Sequence, residues 1–467
     1  MAARDLTRGS IRAHLLRMAA FMLLTMLVQT LYSLIDIFWV GRLGRDAVAA
    51  VAVGSNLMLA LMAVAQTLAV GAAAPISQAA GRKDMDEARR LFTQSQSLSI
   101  GFAVIFLVLA YGVHGIYSDA LAGNAAVAAL TREFLLPFIP ALALQIPMFV
   151  LSAALRGVGD VRTSSIAQLA TVVLNIVLAP VLIFGWGSGH PLGVGGAALA
   201  TLISVVVGML GLLLHVIYRT SFFASGRGAW RPVPRLWSRM VRIGLPSGLE
   251  MALMAFYFGF IMAMLQRFGS APQAAFGVGM RVLQVGMMPA MAVTFAAAAI
   301  VGQNYGARRP ARVREAYAQT LKLNLLAAAV FCIAFHLAPE TLIGLFSTDP
   351  QVLQYGAQFL RWISWNLMAM AAVMACGGVF SGLGNTVPSL LGSTVRVAGI
   401  TVAALLLSDL PAFAPYWLWA LSVCASLVQL AINLLLLRRE LARRLQPVEA
   451  ALAADARNAV AAQTHLP

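Results

Sequence analysis

Two carboxylates lie well inside apolar stretches of the chain, where acidic side chains are rare. Asp36 stands in the segment LYSLIDIFWVG and Glu250 in GLPSGLEMALM, while the other fifteen acidic residues fall in loops, near helix ends or in the tails. A carboxylate in the bilayer core costs roughly 2.5 to 3.5 kcal/mol on insertion scales. Both residues are therefore candidates for a functional site, since an intramembrane carboxylate can hold a proton, a sodium ion or a cationic substrate.

The surroundings of the two carboxylates differ. Asp36 precedes Arg42 by six residues, which places it about 9 Å inside one end of a helix. Glu250 follows Arg242 by eight residues, about 12 Å from the other end of a later helix. Either carboxylate can instead be a structural tether, Asp36 to a neighbouring hydroxyl or amide and Glu250 to Arg396, the basic residue placed deepest within an apolar run. Glu250 and Arg396 are thus the charge candidates of the second half.

The composition indicates that these residues belong to a membrane protein. The 467 residues are 60% hydrophobic and 11% charged, with a mean hydropathy of +0.84, whereas soluble domains are about one quarter charged. The net charge of +16 arises from basic residues that lie between apolar runs. They form no patch interleaved with aromatic residues, so no nucleic-acid partner is predicted. The three cysteines lie inside apolar segments without the spacing of metal ligands, so no metal site is expected apart from a sodium ion at Asp36.

Twelve apolar runs are long enough to cross a bilayer as helices, which predicts an all-α membrane protein. The first run follows a charged start without a convincing cleavage site, so it is expected to remain as a helix. The predicted spans are residues 12–40, 47–73, 91–113, 130–154, 163–186, 193–218, 241–266, 272–301, 317–338, 355–380, 388–409 and 413–437.

The distribution of basic residues predicts the orientation. If both termini lie on the same side, 24 of the 33 lysines and arginines fall in the tails and loops of that side. Only six lie at the opposite ends of the helices. The positive-inside rule therefore places both termini in the cytoplasm, which corresponds to a multi-pass protein of the bacterial inner membrane.

An internal repeat divides the chain into two halves. ISQAAG, residues 76–81, aligns with VGQNYG, residues 301–306, and RGVGD, residues 156–160, aligns with SGLGN, residues 381–385, both at an offset of 225 residues. Two further pairs of segments share this offset. Six helices per repeat give a parallel repeat, in which the substrate site lies between the halves. The predicted organisation is a first lobe 1–218, a linker 219–239, a second lobe 240–438 and a cytoplasmic tail 439–467.

Eight segments of the chain form a characteristic set of motifs. They are LIDIFWVGRLG, ISQAAGRKDMDEARR, LRGVGD, NIVLAPVLIFGWG, LGVGGAALAT, GLPSGLE, VGQNYGARR and SGLGN. Together they resemble the multidrug and toxic compound extrusion (MATE) family over nearly the whole chain. The resemblance implies two pseudo-symmetric six-helix lobes in a V-shaped arrangement. It also implies a monomeric antiporter, not an enzyme, that exports drugs by alternating access in exchange for H⁺ or Na⁺.

The resemblance also assigns roles to single residues. Asp36 matches the aspartate of the first helix that couples transport to a cation, and Asn175 and Thr201 match polar residues that complete the site in some members. Two departures from the family pattern stand out. Ala179 replaces a second aspartate that many relatives carry, and Phe21 replaces a proline of the first helix.

The predicted function is export of small, mainly cationic organic compounds, without a cofactor other than the coupling ion. One alternative is a flippase for lipid-linked saccharides or cell-wall precursors, although its cavity usually needs several cations to bind pyrophosphate. A more distant alternative is a membrane-embedded transferase. That reaction would need clustered aspartates for a metal diphosphate, and none lie within or beside the spans.

Overall fold

The regular elements of the described chain are helices. A computed structural model describes residues 5–186, 189–220 and 227–464, so residues 221–226 of the predicted linker and the end of the tail lie outside the described residues. The α-helices are α1 Ile11–Gly41, α2 Arg45–Ser55, α3 Leu57–Gly81, α4 Met85–Leu121, α5 Ala125–Gly157, α6 Val161–Phe184, α7 Gly193–His215, α8 Pro234–Gln266, α9 Ser270–Gly306, α10 Pro310–Leu337, α11 Pro339–Gly344, α12 Pro350–Leu383, α13 Val387–Leu407 and α14 Pro415–Thr464.

The structure confirms the prediction of twelve membrane spans for the described part of the chain. Helices α2 and α3 together form the second span, with a single break at Asn56. Most helices extend beyond the predicted apolar runs, because backbone hydrogen bonding continues past the point where the side chains become polar. The largest difference is at the C-terminal end, where α14 continues through the predicted tail to Thr464.

The chain forms two compact units. Unit 1 includes Arg17–Ala80 and Asp84–Ala252, and unit 2 includes Leu6–Leu16, Gly81–Lys83 and the chain from Leu253 onwards. Helix α5 is the most buried span of unit 1, and α12 and α9 are the most buried spans of unit 2. The first turns of α1 thus belong to unit 2, and the first half of α8 belongs to unit 1.

Glycines bring α8 into close contact with α3 inside unit 1. A Cβ atom on Gly244 would lie 1.7 Å from the carbonyl oxygen of Thr67, and one on Gly248 would lie 1.9 Å from its hydroxyl. On the facing helix, a Cβ on Gly71 would lie 2.1 Å from the carbonyl oxygen of Met240. Gly244 and Gly248 form a G-x-x-x-G pattern, which allows helix backbones to approach closely in membranes. This crossing holds the first half of α8 in unit 1.

The segment before α1 is anchored within unit 2. The backbone N–H of Leu6 donates to Gln303 Oε1 at 3.0 Å, and the Asn304 amide donates to the Leu6 carbonyl at 3.2 Å. Arg309 donates to the carbonyl of Thr7 at 2.7 Å. Leu6 is completely buried, so these side chains satisfy backbone groups that water does not reach.

Gln94 of α4 anchors the described end of the linker within unit 1. Its Nε2 donates to the carbonyls of Ala229 and Arg231 at 2.7 and 2.8 Å. Its Oε1 accepts from the backbone N–H of Val233 at 3.1 Å and from Trp237 Nε1 at 3.0 Å. One buried amide thus makes four hydrogen bonds and positions the start of α8.

Candidate functional site

Asp36 lies in the C-terminal part of α1, within unit 1. Its side chain is partly buried, and its Oδ1 is shielded from solvent and accepts no hydrogen bond from the described residues. A buried acceptor without a donor costs about 1 to 3 kcal/mol, and more when it is charged. The site is therefore suited to a ligand that brings positive charge, such as a proton, a metal cation or an organic cation.

Tyr32 lies one turn before Asp36 on the same face of α1. Its hydroxyl is within hydrogen-bonding reach of the Thr201 hydroxyl of α7 and within electrostatic range of the Asp36 carboxylate. The sequence analysis did not identify this residue. The i, i+4 spacing to Asp36 is the signal that would have found it, since such residues are neighbours on a helix.

Asn175 of α6 and Thr201 of α7 lie together, as the resemblance implied. Asn175 Nδ2 donates to Thr201 Oγ1 at 3.0 Å, and Thr201 Oγ1 donates to the carbonyl of Ala197 at 3.2 Å. Asn175 is 3% exposed, and its Oδ1 accepts no hydrogen bond from the described chain. Because Tyr32 interacts with the Thr201 hydroxyl and electrostatically with Asp36, we group these four residues as one polar cluster, hereafter the Asp36 cluster.

The Asp36 cluster contains a single carboxylate. Ala179, one turn after Asn175 on α6, is 1% exposed and contributes only a methyl group. The cluster therefore carries at most one negative charge, together with the uncharged oxygens of Tyr32, Asn175 and Thr201. Such a set can bind one monovalent cation or one proton, but it lacks the several anionic oxygens that divalent ions prefer.

Aromatic side chains border the site one turn beyond Asp36. The Trp39 ring meets Phe184 at 5.9 Å and Trp186 at 5.7 Å between centroids, both edge to face. The guanidinium of Arg42 lies 4.8 Å from the centroid of Phe38 and 5.2 Å from that of Trp39. These aromatic rings give the C-terminal end of α1 a rigid apolar surface.

The charge candidates of the second half lie in different units. Glu250 is partly buried on α8 in unit 1, and Arg396 is 3% exposed on α13 in unit 2. Within unit 2, Arg396 NH2 lies 3.0 Å from Met254 Sδ, and the guanidinium lies 5.1 Å from the centroid of the Tyr257 ring. The pairing of Glu250 with Arg396 stays a prediction.

The described residues, 5–186, 189–220 and 227–464, contain no cluster of the side chains that usually bind metals. No set of three or more His, Cys, Asp or Glu residues there is placed to hold a metal ion. Among the candidates from the sequence, the structure brings together Asp36, Asn175 and Thr201, and it adds Tyr32 to them.

Comparison with known proteins gives a consistent result. The MatE family model matches residues 22–181 and 246–407. Among curated proteins, the chain is 28% identical to an FAD transporter of Shewanella oneidensis, over 73% of this chain and 74% of that protein. It is also 28% identical to the probable multidrug resistance protein NorM of Thermotoga maritima, over 83% of each chain. It is 25% identical to the multidrug export protein MepA of Staphylococcus aureus, over 82% of each.

Solved structures share the fold. One is the outward-facing conformation of a multidrug resistance MATE family transporter of the MOP superfamily, with a TM-score of 0.87 and 23% identity over 95% of this chain and 99% of that one. Another is a MOP superfamily transporter from Pyrococcus furiosus, with a TM-score of 0.86 and 24% identity over the same shares. Because both structures are less than 25% identical to this chain, they establish its fold but not its substrate or its coupling ion.

Proposed function

Because the chain belongs to the MATE family, whose members are membrane transporters and not enzymes, we propose that it is a secondary active antiporter. It exports small, mainly cationic organic compounds such as drugs and toxic metabolites, in exchange for H⁺ or Na⁺ by alternating access. Two relatives, from Thermotoga maritima and Staphylococcus aureus, carry names that denote multidrug resistance or multidrug export. Their similarity over more than four fifths of each chain supports this choice of substrate class.

The observation that carries the proposal is the unsatisfied oxygen of Asp36. A buried carboxylate oxygen that accepts no hydrogen bond from the described chain is expensive inside a membrane unless a ligand satisfies it. The neighbouring oxygens of Tyr32, Thr201 and Asn175 allow that ligand to be a proton on the carboxylate or a sodium ion shared with them. Asp36, Asn175 and Thr201 are therefore the proposed cation-coupling residues, and Tyr32 joins them.

Competition at one carboxylate explains how exchange occurs. A proton or sodium ion and a cationic substrate each neutralise Asp36, so binding of one weakens binding of the other. Export follows if the two ligands favour different conformations of the transporter, because a ligand with equal affinity for both would shift neither. A coupling ion that arrives from outside then promotes release of the substrate, and its departure inside resets the site.

Orientation and organisation complete the proposal. The surplus of basic residues in the tails and alternate loops supports the proposal that both termini lie in the cytoplasm, in a bacterial inner membrane. On this proposal the two repeats, residues 1–218 and 240–438, are the lobes of a monomer and are joined by the linker 219–239. Glu250 and Arg396 are the charged groups that adjust substrate preference in the second half.

A second candidate substrate class is dinucleotide cofactors, because one relative is named an FAD transporter. Flavin adenine dinucleotide is anionic through its diphosphate, so it is electrostatically opposite to an organic cation. The buried guanidinium of Arg396 is a group that can attract such an anion. Because FAD is anionic, it would not compete with a proton for the Asp36 carboxylate.

The test is substrate uptake into inverted membrane vesicles, which corresponds to export from the cell, driven separately by a pH gradient and by a Na⁺ gradient. Ethidium represents organic cations, and FAD represents the anionic alternative. Asp36→Asn removes the charge that alternates during the cycle, so gradient-driven ethidium transport should be lost while the protein still inserts at normal abundance. Which gradient drives the wild type identifies the coupling ion.

Asn175→Ala is the matched control within the same cluster. It removes one amide ligand but no titratable charge, so it should weaken coupling less than Asp36→Asn does. If Asp36→Asn retains wild-type ethidium transport under both gradients, Asp36 is only a helix tether and the proposed coupling site is wrong. If the wild type moves FAD and not ethidium, the coupling residue can stand while the substrate class is rejected.

A further inference from the structure

A row of buried polar side chains runs along one face of α14 in unit 2, remote in sequence from the Asp36 cluster. Ser422, Ser426, Gln429 and Asn433 follow each other at spacings of four, three and four residues, which keeps them on one face of the helix. All four are 0 to 2% exposed. The row spans twelve residues, about 16 Å of helix, or about half the thickness of the hydrocarbon core.

Small residues of α13 face this row. Gln429 Nε2 donates to Ser393 Oγ at 3.0 Å. A Cβ atom on Gly392 would lie 2.2 Å from Asn433 Oδ1, so the amide lies directly against the α13 backbone. We call the layer between α13 and α14, from Ser422 to Asn433, the polar seam.

The polar seam contains hydrogen-bonding capacity that the described protein atoms do not fill. Both Nδ2 and Oδ1 of Asn433 lack a partner, as do Gln429 Oε1 and Ser426 Oγ. Each such buried group costs about 1 to 3 kcal/mol. In a membrane the surrounding lipid cannot supply the missing bonds. Such a row of buried polar groups is stable in a folded protein only if a bound ligand supplies the missing hydrogen bonds.

The chemistry of these groups identifies the occupant. Asn433 alone presents an unused donor and an unused acceptor, so a simple anion or cation would satisfy one and repel the other. The ligand must both donate and accept. The contact between Asn433 and Gly392 leaves no room at that level for a drug-sized molecule. Water meets both conditions, since a buried water typically makes about three hydrogen bonds to otherwise unsatisfied groups.

Polar pairs lie on either side of the seam. Seven residues beyond Asn433, Asn385 Nδ2 donates to Glu440 Oε1 at 3.0 Å, in the charged stretch of α14 that follows its apolar part. At the other side, Ser422 Oγ lies 3.0 Å from the Tyr257 hydroxyl, and the Arg396 guanidinium lies 5.1 Å from the centroid of the Tyr257 ring. The seam therefore lies between this charged stretch and a buried cation in the interior of unit 2.

The first half of the chain does not repeat this arrangement. At the repeat offset of 225 residues, Gln429 corresponds to Ser204 and Asn433 to Gly208, so both amides occur in the second half alone. Tyr257, by contrast, corresponds to Tyr32 of the Asp36 cluster. The repeat thus retains the tyrosine and places a different set of polar groups near it.

We propose that the polar seam binds a chain of water molecules, which gives solvent a path from the charged stretch of α14 around Glu440 to Tyr257 and Arg396. This path lies within unit 2 and involves none of the residues of the Asp36 cluster. The inference therefore does not depend on the proposed function, and its test measures hydration instead of transport.

Hydroxyl-radical footprinting of the full chain in nanodiscs tests the proposal. Radicals generated from bound water oxidise adjacent side chains, so Tyr257, which is 7% exposed, should be oxidised well above the background of the buried Phe276. Asn433→Leu keeps the size of the side chain and removes the central water ligands. Oxidation of Tyr257 should then fall to the background level.

The melting temperature of the variants distinguishes a hydrated polar seam from a dry one. If the seam is dry, Asn433→Leu removes two unsatisfied groups, raises the melting temperature and leaves Tyr257 oxidation unchanged, which overturns the proposal. Ser426→Ala is the milder variant in case Asn433→Leu does not fold, and it should also reduce oxidation of Tyr257. Wild-type oxidation at background level likewise rejects the water chain.

The matched control is Asn324→Leu, on α10 of the same unit. Asn324 Nδ2 already donates to Thr294 Oγ1 at 3.1 Å and to the Ala371 carbonyl at 3.2 Å, outside the polar seam. The variant should lower the melting temperature and leave Tyr257 oxidation intact. Loss of oxidation in this control would show that footprinting reports general loosening, and the proposal would fail.

Discussion

The four hydrogen bonds of Gln94 allow a magnitude to be worked out for one substitution. Gln94→Met keeps the length and volume of the side chain but removes two donated bonds, to Ala229 and Arg231, and two accepted bonds, from Val233 and Trp237. At about 0.5 to 1.5 kcal/mol net per bond, the loss spans about 2 to 6 kcal/mol. The linker backbone lies near the surface and can regain water, which favours the lower end, about 2 to 3 kcal/mol.

Hydrogen exchange of the linker measures this loss directly. The backbone N–H of Val233 is protected by Gln94, so its exchange reports local opening of the linker. A loss of about 2 to 3 kcal/mol should accelerate exchange by about 30- to 150-fold, since about 1.4 kcal/mol corresponds to a factor of ten. The assay is mass spectrometry of the peptide that covers residues 229–237.

The repeat supplies the control. Gln319 of α10 lies 225 residues after Gln94 and occupies the equivalent place in the second half. Gln319→Met removes the same chemical group outside the linker contact, so exchange of residues 229–237 should not change. An acceleration below about threefold in Gln94→Met, equivalent to less than about 0.7 kcal/mol, would show that the linker is held by other contacts.

Two further predictions concern α8 and its charge. Gly244→Ala should lower the melting temperature, at a cost of about 1 to 3 kcal/mol, because its methyl group would meet the Thr67 carbonyl, whereas Gly259→Ala on the same helix meets nothing and should be neutral or stabilising. Equal melting temperatures for the two variants would refute the close α3–α8 crossing. Glu250→Gln should reduce export of some substrates more than others at unchanged abundance. A loss of abundance that is reversed only by neutralising Arg396 would instead identify a structural ion pair.

The candidate site could be predicted only in part. Asp36 stood out from hydropathy alone, because a carboxylate within an apolar run is unusual wherever its neighbours lie. Asn175 and Thr201 came from family resemblance, and their mutual hydrogen bond is a fact of the structure. Tyr32 was missed although it lies one turn before Asp36 in the sequence, and its interaction with Thr201 of α7 depends on how the two helices pack.

The twelve membrane spans and the family could both be predicted from the sequence alone. Both depend on local properties, the length of apolar runs and the order of motifs, which are the same whichever helices pack together. The ends of the helices were less predictable, as α14 shows, since a helix does not stop where its side chains become polar.

Which side chains contact each other depends on the tertiary structure. Gly244 meets Thr67 across 177 positions of sequence, Gln94 meets Val233 across 139, and Asn433 meets Gly392 through a contact that no local pattern indicates. These pairings depend on the rotation and register of whole helices. Rotation and register are set by the summed packing of many residues, so no single segment of the sequence contains them.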